Sequence, residues 1–409
     1  MRVLVAAAYY EPAFEYGGPV TVVAEGCRAL ARAGASVTVF TTNANGAAEL
    51  DVPLGQPLDV GGVETWYFPR RKPKGYFYSP ALAAELTRRV AEFDVLHLHG
   101  LWCHTNLAGR RAAADRVPYV ATLHGGLDPV MMRKGRLKKR LYWLVHERRN
   151  LDQASALVAL TEDEKQQIEA LGVRAPVVVI PHGLDLGQYS APPPREELGR
   201  LHPCLVSAPY VLFLGRLHPK KSAELLIAAY TRCLADAPEL RLVLAGAGEP
   251  SYEAKLKALA AQVGTERVLC VGHVSGAPKH ALLAHAVAFC LPSESEGLPT
   301  ACIEAMLSQT PVVISHECHL AEVADEQAGF VVDRTPEAIA EALLQLANDE
   351  PRRGATARRA RDYAAHTFDS RLVADRTLAL YAETRDRHQF RTSETGACPR
   401  FPSSAGGSE

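Results

Sequence analysis

Apolar residues along the chain fall into short runs rich in β-branched side chains, and these runs alternate with segments of helical periodicity. The runs predict strands at 2–8, 36–42, 94–100, 118–125, 156–160 and 177–181, and then at 210–216, 240–246, 267–272, 288–293, 311–315 and 329–332. Continuously apolar strands between helices are typical of parallel sheets that are buried on both faces. The pattern therefore predicts an α/β fold with two Rossmann-like, doubly wound parallel-sheet domains.

The two series of strands are separated by a proline-rich stretch without periodicity at 190–209. A chain of 409 residues is also longer than one hydrophobic core usually supports. We predict a first domain at 1–189, a linker at 190–209, a second domain at 210–368, a terminal helix at 369–388 and a disordered tail at 389–409. Because ligands of such sheets bind beyond the carboxyl ends of the strands, the cleft between the domains is the predicted site.

Composition narrows the class of protein. The formal net charge of −1 argues against nucleic acid as the main partner, since phosphate-backbone binding shows as a basic excess. The nine cysteines form no C-x-x-C pair, which favours small core residues in a reducing compartment over a zinc site or disulfides. No apolar run has the length of a membrane-spanning helix, and none has the form of a signal peptide. A cytoplasmic location is expected.

The stretch SESEGLPTACIEAMLSQTPVVIS, residues 293–315, places two glutamates eight positions apart across a predicted helix start. Pro299 is predicted to be the first helical residue, with Glu296 in the loop before it and Glu304 in the second turn. The amides of Gly297 and Leu298 then lie at the positive end of the helix dipole, while carboxylates accept hydrogen bonds from hydroxyls. A ligand that is part phosphate and part polyhydroxyl, such as a nucleotide sugar, fits this pattern. The alternative is a capped helix with a solvated glutamate.

Two further segments could bind phosphate. Arg216 and Lys221 lie between a strand and the next helix, where an arginine fork and a lysine charge could clamp a diphosphate. Gly17 and Gly18 precede the first helix, where the lack of side chains lets backbone amides approach a phosphate. Solvated loop cations and an ordinary turn are the respective alternatives. No Asp-x-Asp motif occurs that could chelate a diphosphate-bound cation, so we predict neither a metal nor a cofactor.

Histidines follow two of the first-domain strands. His124 ends the strand in ATLHGGLDP and is a candidate site residue, although a packed or solvated histidine is the alternative. His97 and His99 alternate along a strand and are interpreted as structural. The G-x-G at 246–248 has Ser251 where the dinucleotide fingerprint requires glycine, which argues against a nicotinamide-dependent oxidoreductase.

Residues 133–149, RKGRLKKRLYWLVHERR, combine eight Lys or Arg with an apolar stripe. The stripe is Leu137, Leu141, Leu144 and Val145, which share one face of a helix. One interpretation is a basic helix that this stripe packs onto the protein. The other is contact with anionic lipid headgroups or with a phosphate-bearing acceptor.

Taken together, these segments resemble the retaining GT-B glycosyltransferases of family 4, the glycosyl transferases group 1, over residues 1–385. The strongest element is Glu296-Gly297-Leu298-Pro299…Glu304, which is similar to the Glu–x7–Glu signature of that family and is followed by EAM and TPVV. The second is Gly215-Arg216…Lys221. The resemblance implies a GT-B fold, with two domains facing across a cleft.

The resemblance also implies roles for the candidate residues in the second domain. Glu296 would contact the hydroxyls of the donor sugar, and Glu304 those of the ribose. Gly297 and Leu298 would bind the donor through their amides, and Arg216 and Lys221 would stabilise the leaving diphosphate.

In the first domain, the resemblance implies that Gly17 and Gly18 supply amides to the diphosphate and that His124 lines the sugar pocket. The helix at 369–384 would cross back to this domain. Three departures from the family pattern occur, namely Ser222 in place of a glycine, His182 in place of an asparagine, and 315–325 in place of a glycine-glycine stretch.

The function implied is transfer of a hexosyl unit from a UDP- or GDP-sugar to an acceptor hydroxyl with retention of configuration, in cell-surface polysaccharide or glycolipid assembly. The partners would be the nucleotide sugar, an acceptor sugar or lipid-linked glycan, and, through 133–149, the inner face of an anionic membrane. A nucleotide-sugar 2-epimerase of GT-B fold and a non-catalytic sugar-nucleotide-binding protein remain alternatives.

Overall fold

The computed structural model of the protein describes residues 1–127 and 135–396. All twelve predicted strands are present, most of them shorter at their ends than predicted. The strands are β1 (Arg2–Ala7), β2 (Ser36–Thr42), β3 (Ala44–Asn45), β4 (Ala48–Glu49), β5 (Pro57–Asp59), β6 (Glu64–Phe68), β7 (Val95–His99), β8 (Tyr119–Thr122), β9 (Ala156–Ala159), β10 (Val177–Val179), β11 (Tyr210–Leu214), β12 (Arg241–Ala245), β13 (Val268–Gly272), β14 (Ala288–Leu291), β15 (Val312–Ser315) and β16 (Gly329–Val332).

The strands form the two predicted sheets. The first sheet has the order β10-β9-β8-β7-β1-β2-β6-β5 and is parallel except for the pairing of β5 with β6. The second has the order β13-β12-β11-β14-β15-β16 and is parallel throughout. Strands β3 to β6, which were not predicted, comprise a two-stranded hairpin and the edge of the first sheet.

Helices connect the strands and cover both sheets. In chain order they are α1 (Gly18–Arg32), α2 (Pro80–Arg89), α3 (His104–Ala113), α4 (Arg136–Tyr142), α5 (Arg148–Asp152), α6 (Glu162–Ala170), α7 (Ala223–Cys233), α8 (Pro250–Val263), α9 (Gly276–Ala284), α10 (Thr300–Leu307), α11 (Glu322–Asp325), α12 (Pro336–Asn348), α13 (Glu350–Phe368) and α14 (Ser370–Gly396). Within the described ranges, no helix is both long and apolar enough to cross a membrane.

The strand order reverses once in each sheet, and these reversals position the site. The first sheet reverses between β1 and β7, and the second between β11 and β14. Loops that follow the two strands of a reversal diverge to opposite faces of the sheet and leave a crevice at its carboxyl edge. The loops bearing Gly17, Arg216, Lys221 and Glu296 all begin at these strands.

The terminal helix α14 packs on the first domain although it follows the second in sequence. Its side chains Val373, Ala374, Leu380 and Tyr381 join the core formed by β1, β2 and α1. The backbone of Leu184 pairs with Phe368 and Ser370 where the chain crosses over. The helix continues through 389–396, where a disordered tail was predicted, and residues 397–409 lie outside the described part of the chain.

The segment predicted as a linker is ordered by contact with the second domain. It contains two 3-10 helices, Arg195–Arg200 and Pro203–Val206, whose Leu198 and Leu205 are fully buried in the core of that domain. Its lack of periodicity reflects these short turns, which have too few residues to repeat a pattern.

The interpretation of the apolar stripe at 137–145 as the packed face of its helix is wrong. Leu137, Leu141, Leu144 and Val145 are all exposed. The helix instead packs through Trp143, which contacts the first-domain core, and through the buried Glu147. Residues 133 and 134 of the predicted basic segment lie outside the described residues.

Candidate functional site

Glu296 and Lys221 join the two loops at the reversal of the second sheet. Glu296 follows β14 and Lys221 follows β11, and the lysine Nζ lies 2.5 Å from Glu296 Oε1. The hydroxyl of Ser293 donates to the same oxygen at 2.5 Å. Glu296 is only 7% exposed, so its charge is neutralised by a lysine within a largely desolvated loop.

Glu304 has a similar pair of partners one turn into α10. Lys279 Nζ lies 2.6 Å from Glu304 Oε1, and the Tyr189 hydroxyl donates to that oxygen at 3.1 Å. Pro299 was predicted to be the first helical residue of α10. It is instead the N-cap residue, because its ψ of 96° is extended and not helical. Lys279 and Tyr189 were not predicted, since neither lies near Glu304 in sequence.

Each glutamate keeps one oxygen available for a ligand. The side-chain hydrogen bonds that Glu296 and Glu304 receive within the described residues all go to Oε1. Oε2 of each can therefore accept hydrogen bonds from hydroxyl groups without displacing the lysines.

The N termini of α1 and α10 face each other across the cleft. Gly18 begins α1 and Thr300 begins α10, and a Cβ built on Gly18 would lie 3.6 Å from Thr300 Oγ1. Gly17, with φ 74°, caps α1 from a conformation that favours glycine. Two positive helix ends thus converge, and such ends attract anions. The Gly17 amide, which was predicted to bind phosphate, donates instead to the Phe14 carbonyl at 2.9 Å. Because Pro19 has no N–H, Gly18 is the candidate amide at the α1 end.

Arg216 adds an exposed cation to this region. It follows β11, and its charge acts on the phenol of Tyr9, which follows β1 in the other domain. Burial raises the pKa of Tyr9 to about 12, and Arg216 opposes that increase. Arg216 is therefore close enough to the first domain to act on Tyr9.

The backbones of the two domains touch beside Glu296. A Cβ on Gly297 would lie 3.5 Å from the carbonyl carbon of His124 and 3.4 Å from the Cα of Gly125. A second contact joins His319 Nδ1 to Asp163 Oδ2 at 2.7 Å. His124 and the Glu296 loop therefore lie on opposite walls of one closed cleft. Leu298, the next residue, is buried in the second-domain core, so its backbone is the part available to a ligand.

His124 belongs to a cluster of histidines that lines a cavity of about 70 Å³. Its Nε2 lies 2.9 Å from His99 Nδ1, and its ring stacks on that of His182 with centroids 5.2 Å apart. His124 has φ 54°, a strained conformation for a non-glycine residue, and its buried Nδ1 has no hydrogen-bond partner in the described chain. The residues that line this cavity belong to the first domain and to α14, so the unpaired Nδ1 atom is enclosed within the first domain.

The cluster is uncharged near neutral pH. Burial lowers the pKa of His124 to about 4 and that of His97 to about 3, and it lowers the pKa values of His99 and His182 well below the ordinary value. His97 lies deepest, bonded to Tyr381 and Thr122, as expected for a structural residue. His99 was interpreted in the same way, but its contact with His124 makes it part of the site.

Two departures from the family pattern fall where the backbone requires a positive φ. Ser222 has φ 53° and His319, within 315–325, has φ 54°. Glycine adopts this conformation freely, which explains why the family pattern has glycine at these positions. The Ser222 hydroxyl accepts a hydrogen bond from Arg334 at 2.9 Å, a contact that glycine could not make.

Within residues 1–127 and 135–396, no group of three or more His, Cys, Asp or Glu side chains is arranged to hold a metal ion.

Family models match both halves of the chain. The model described as Glycosyl transferase 4-like domain matches residues 17–183, and the one described as Glycosyl transferases group 1 matches 205–364. Among curated proteins, the chain is 30% identical to a D-inositol 3-phosphate glycosyltransferase of Xylanimonas cellulosilytica, covering 92% of this chain and 94% of that protein. It is 28% identical to the enzyme of the same name from Kineococcus radiotolerans, covering 94% of each chain.

Solved structures share the fold. HepE of Anabaena, in complex with UDP and glucose, superposes with a TM-score of 0.72 at 20% identity, over 94% of this chain and all of that one. Sucrose-phosphate synthase of Thermosynechococcus elongatus superposes with a TM-score of 0.74 at 19% identity, over 96% of this chain and all of that one. Together with the paired sheets and the glutamate signature, these matches show that the chain belongs to the GT-B glycosyltransferases of family 4.

Proposed function

We propose that the chain transfers a hexosyl unit from a nucleotide diphosphate sugar to an acceptor hydroxyl, with retention of configuration and without a metal ion. The observation that carries this proposal is the convergence of the α1 and α10 N termini at the reversal of the second sheet, where the loop after β11 carries Arg216 and Lys221. Two helix ends and two cations favour a ligand with several negative charges, which a diphosphate provides. The complex of HepE with UDP-glucose supports a UDP-sugar as donor, with a GDP-sugar as the second candidate.

The donor would span the cleft. Its diphosphate would bind the amide of Gly18 at the start of α1, with Lys221 bridging Glu296 and the phosphate. The amide of Gly297 and the Oε2 atom of Glu296 would hold the sugar, and Oε2 of Glu304 would accept hydrogen bonds from the ribose. His124, which lies against Gly297 across the cleft, would line the sugar pocket from the first domain.

Catalysis would depend on stabilising the departing diphosphate. The helix amides are fixed by the backbone and Lys221 is held by Glu296, so they stabilise the charge that develops on the leaving oxygen with little reorganisation, and Arg216 adds a further positive charge. The bond from the acceptor oxygen to the anomeric carbon would form on the face where the bond to phosphate breaks. The acceptor proton would pass to a leaving-phosphate oxygen, so no carboxylate nucleophile is required.

We propose a chemical class for the acceptor and no single compound. Assembly of cell-surface polysaccharide or glycolipid in the cytoplasm suits a transferase of this family, with an acceptor sugar or a lipid-linked glycan. The names of the curated relatives make D-inositol 3-phosphate a further compound to test.

The proposal is tested by screening UDP- and GDP-sugars for protection against thermal unfolding and for turnover detected by mass spectrometry. Transfer should occur from one nucleotide sugar, and proton NMR of the product should show the donor's anomeric configuration. An inverted product would contradict retention. Formation of an epimer without acceptor would identify a 2-epimerase, and protection without turnover across all acceptors would identify a binding protein.

A further inference from the structure

A ridge on the first domain carries exposed apolar side chains between exposed cations. The helix α4 and the π-helical segment Trp143–Glu147 that follows it form this ridge. Its apolar members are Leu137, Leu141, Leu144 and Val145, which are 83%, 65%, 68% and 55% exposed. The other exposed large apolar side chains of the described residues are scattered along the chain, so this group stands out as a patch.

The opposite side of the ridge is fixed to the protein. The Tyr142 hydroxyl lies 2.9 Å from that of Tyr76, and Trp143 packs against the first-domain core. Lys139 stacks over the Trp102 ring, with Nζ 5.6 Å from the centroid. Since the inner face is already occupied, the apolar stripe is not covered by a small rotation of the helix.

Cations flank the stripe on both sides. Arg136, Lys138 and Arg140 are exposed, and residues 135–146 contain no Asp or Glu. Because the whole chain has a formal net charge of −1, this basic group is a local feature. Apolar side chains that project between cations match an anionic bilayer, where the apolar groups enter the acyl boundary and the cations meet headgroup phosphates.

The shape also favours a bilayer. Side chains as exposed as Leu137 project from the surface and do not line a groove, so a protein partner would have to supply a matching groove, whereas a deformable lipid surface needs none. We propose that this ridge, defined by Arg136, Leu137, Lys138, Arg140, Leu141, Leu144 and Val145, docks the protein on an anionic membrane.

The ridge lies on the acceptor side of the cleft. It is bonded through Tyr142 to Tyr76, and the next residue, Phe77, packs against Tyr16 just before Gly17. Docking would therefore hold the first-domain wall of the cleft near the membrane. Given the proposed transferase function, this placement favours an acceptor carried by lipid on the inner face of the membrane.

The test is sedimentation of the full chain with vesicles of phosphatidylcholine containing one third phosphatidylglycerol. One variant replaces Arg136, Lys138 and Arg140 by Glu, and another replaces Leu137, Leu141 and Leu144 by Ser. Both change exposed side chains, so nucleotide-dependent thermal protection should be preserved. The control replaces Arg352, Arg358 and Arg359, exposed on α13 of the second domain, by Glu.

We expect each ridge variant to bind at least tenfold more weakly than the wild type, and the control to bind within about twofold of it. Binding should also weaken as salt approaches 1 M, where the screening length is about 3 Å. The proposal is overturned if the wild type does not bind, if it binds neutral vesicles equally, or if either ridge variant binds normally. Self-association that the same variants abolish would assign the ridge to a second copy of the chain. Because binding is measured without turnover, a failure here leaves the proposed transfer reaction intact.

Discussion

Gly125 and Gly297 meet across the cleft so closely that a Cβ on Gly125 would lie 3.0 Å from the Cα of Gly297. Gly125 also has φ 70°, and its amide donates to Glu164 Oε1 at 2.6 Å. Any side chain at 125 would separate the loop of His124 from the loop of Glu296. The closed cleft therefore depends on glycine at this point.

Gly125→Ala should impair turnover while sparing nucleotide binding, because the nucleotide subsite is proposed to lie mainly in the second domain. We expect kcat/KM to fall at least tenfold and the dissociation constant for UDP to change by less than threefold. Gly55→Ala is the matched control, since Gly55 has a similar φ of 67° and no heavy atom within 4 Å of its Cβ position. Equal losses in both variants would show that backbone strain alone is responsible.

Substitutions of Glu304 and Glu296 should change different kinetic parameters. Glu304 is assigned to the ribose, whose hydrogen bonds are equally strong in the ground and transition states. Glu304→Gln should therefore mainly raise the donor KM, by a factor corresponding to about 1–3 kcal/mol for charge-assisted hydrogen bonds. Steady-state kinetics with varied donor concentration would measure this, and an unchanged KM would contradict the assignment.

Glu296→Gln should instead lower kcat, on the order of a hundredfold, because this carboxylate is placed where positive charge develops on the sugar ring. It also leaves Lys221 without its anionic partner. Glu294→Gln, at an exposed neighbouring position, is the control for the loop. A wild-type kcat with weakened donor affinity would make the glutamate pair a binding clamp and place the reacting centre elsewhere.

Activity should persist in excess EDTA. Lys221, Arg216 and two helix N termini already provide the positive charge that a divalent ion would otherwise supply. Initial rates after dialysis against EDTA, with and without added Mg²⁺ or Mn²⁺, would check this. Complete loss of activity that either ion restores would contradict the prediction.

The sequence predicts the strands well because a buried parallel strand is apolar along its whole length. The edge strand β5 was missed because it has three residues, two of them exposed, and no apolar run. Strand β6 is mostly buried and contains the aromatic run 66–68, so its sequence carried a signal that was not used. Glu296 and Lys221 lie in local motifs, and for this reason they could be found. Lys279 and Thr300 join the candidate site only through tertiary contacts, which leave no local pattern in the sequence.

The apolar stripe at 137–145 shows a different limit of prediction from sequence. Its spacing correctly indicates one face of a helix, but spacing does not reveal whether that face meets protein or solvent. Tyr142 and Trp143, on the other side, make the contacts that fix the helix. Their position among cations in the sequence did not indicate that they face the protein.

The buried histidines should make the protein less stable in mild acid. His97 and His124 have pKa values lowered to about 3 and about 4 in the folded state, whereas unfolding restores a value near 6.5. The unfolded chain therefore binds more protons below pH 6.5, and the free energy of unfolding falls as the pH drops, by about 1.4 kcal/mol per pH unit for each such histidine. Above pH 6.5 this dependence should vanish. Urea unfolding at pH 7.5 and 5.0 measures it, and His182→Asn, which introduces the family's usual residue, should make the difference smaller, because burial lowers the pKa of His182 as well. The exposed His366→Asn should leave it unchanged, and a His182 variant with the wild-type difference would show that this ring does not remain neutral in the folded protein.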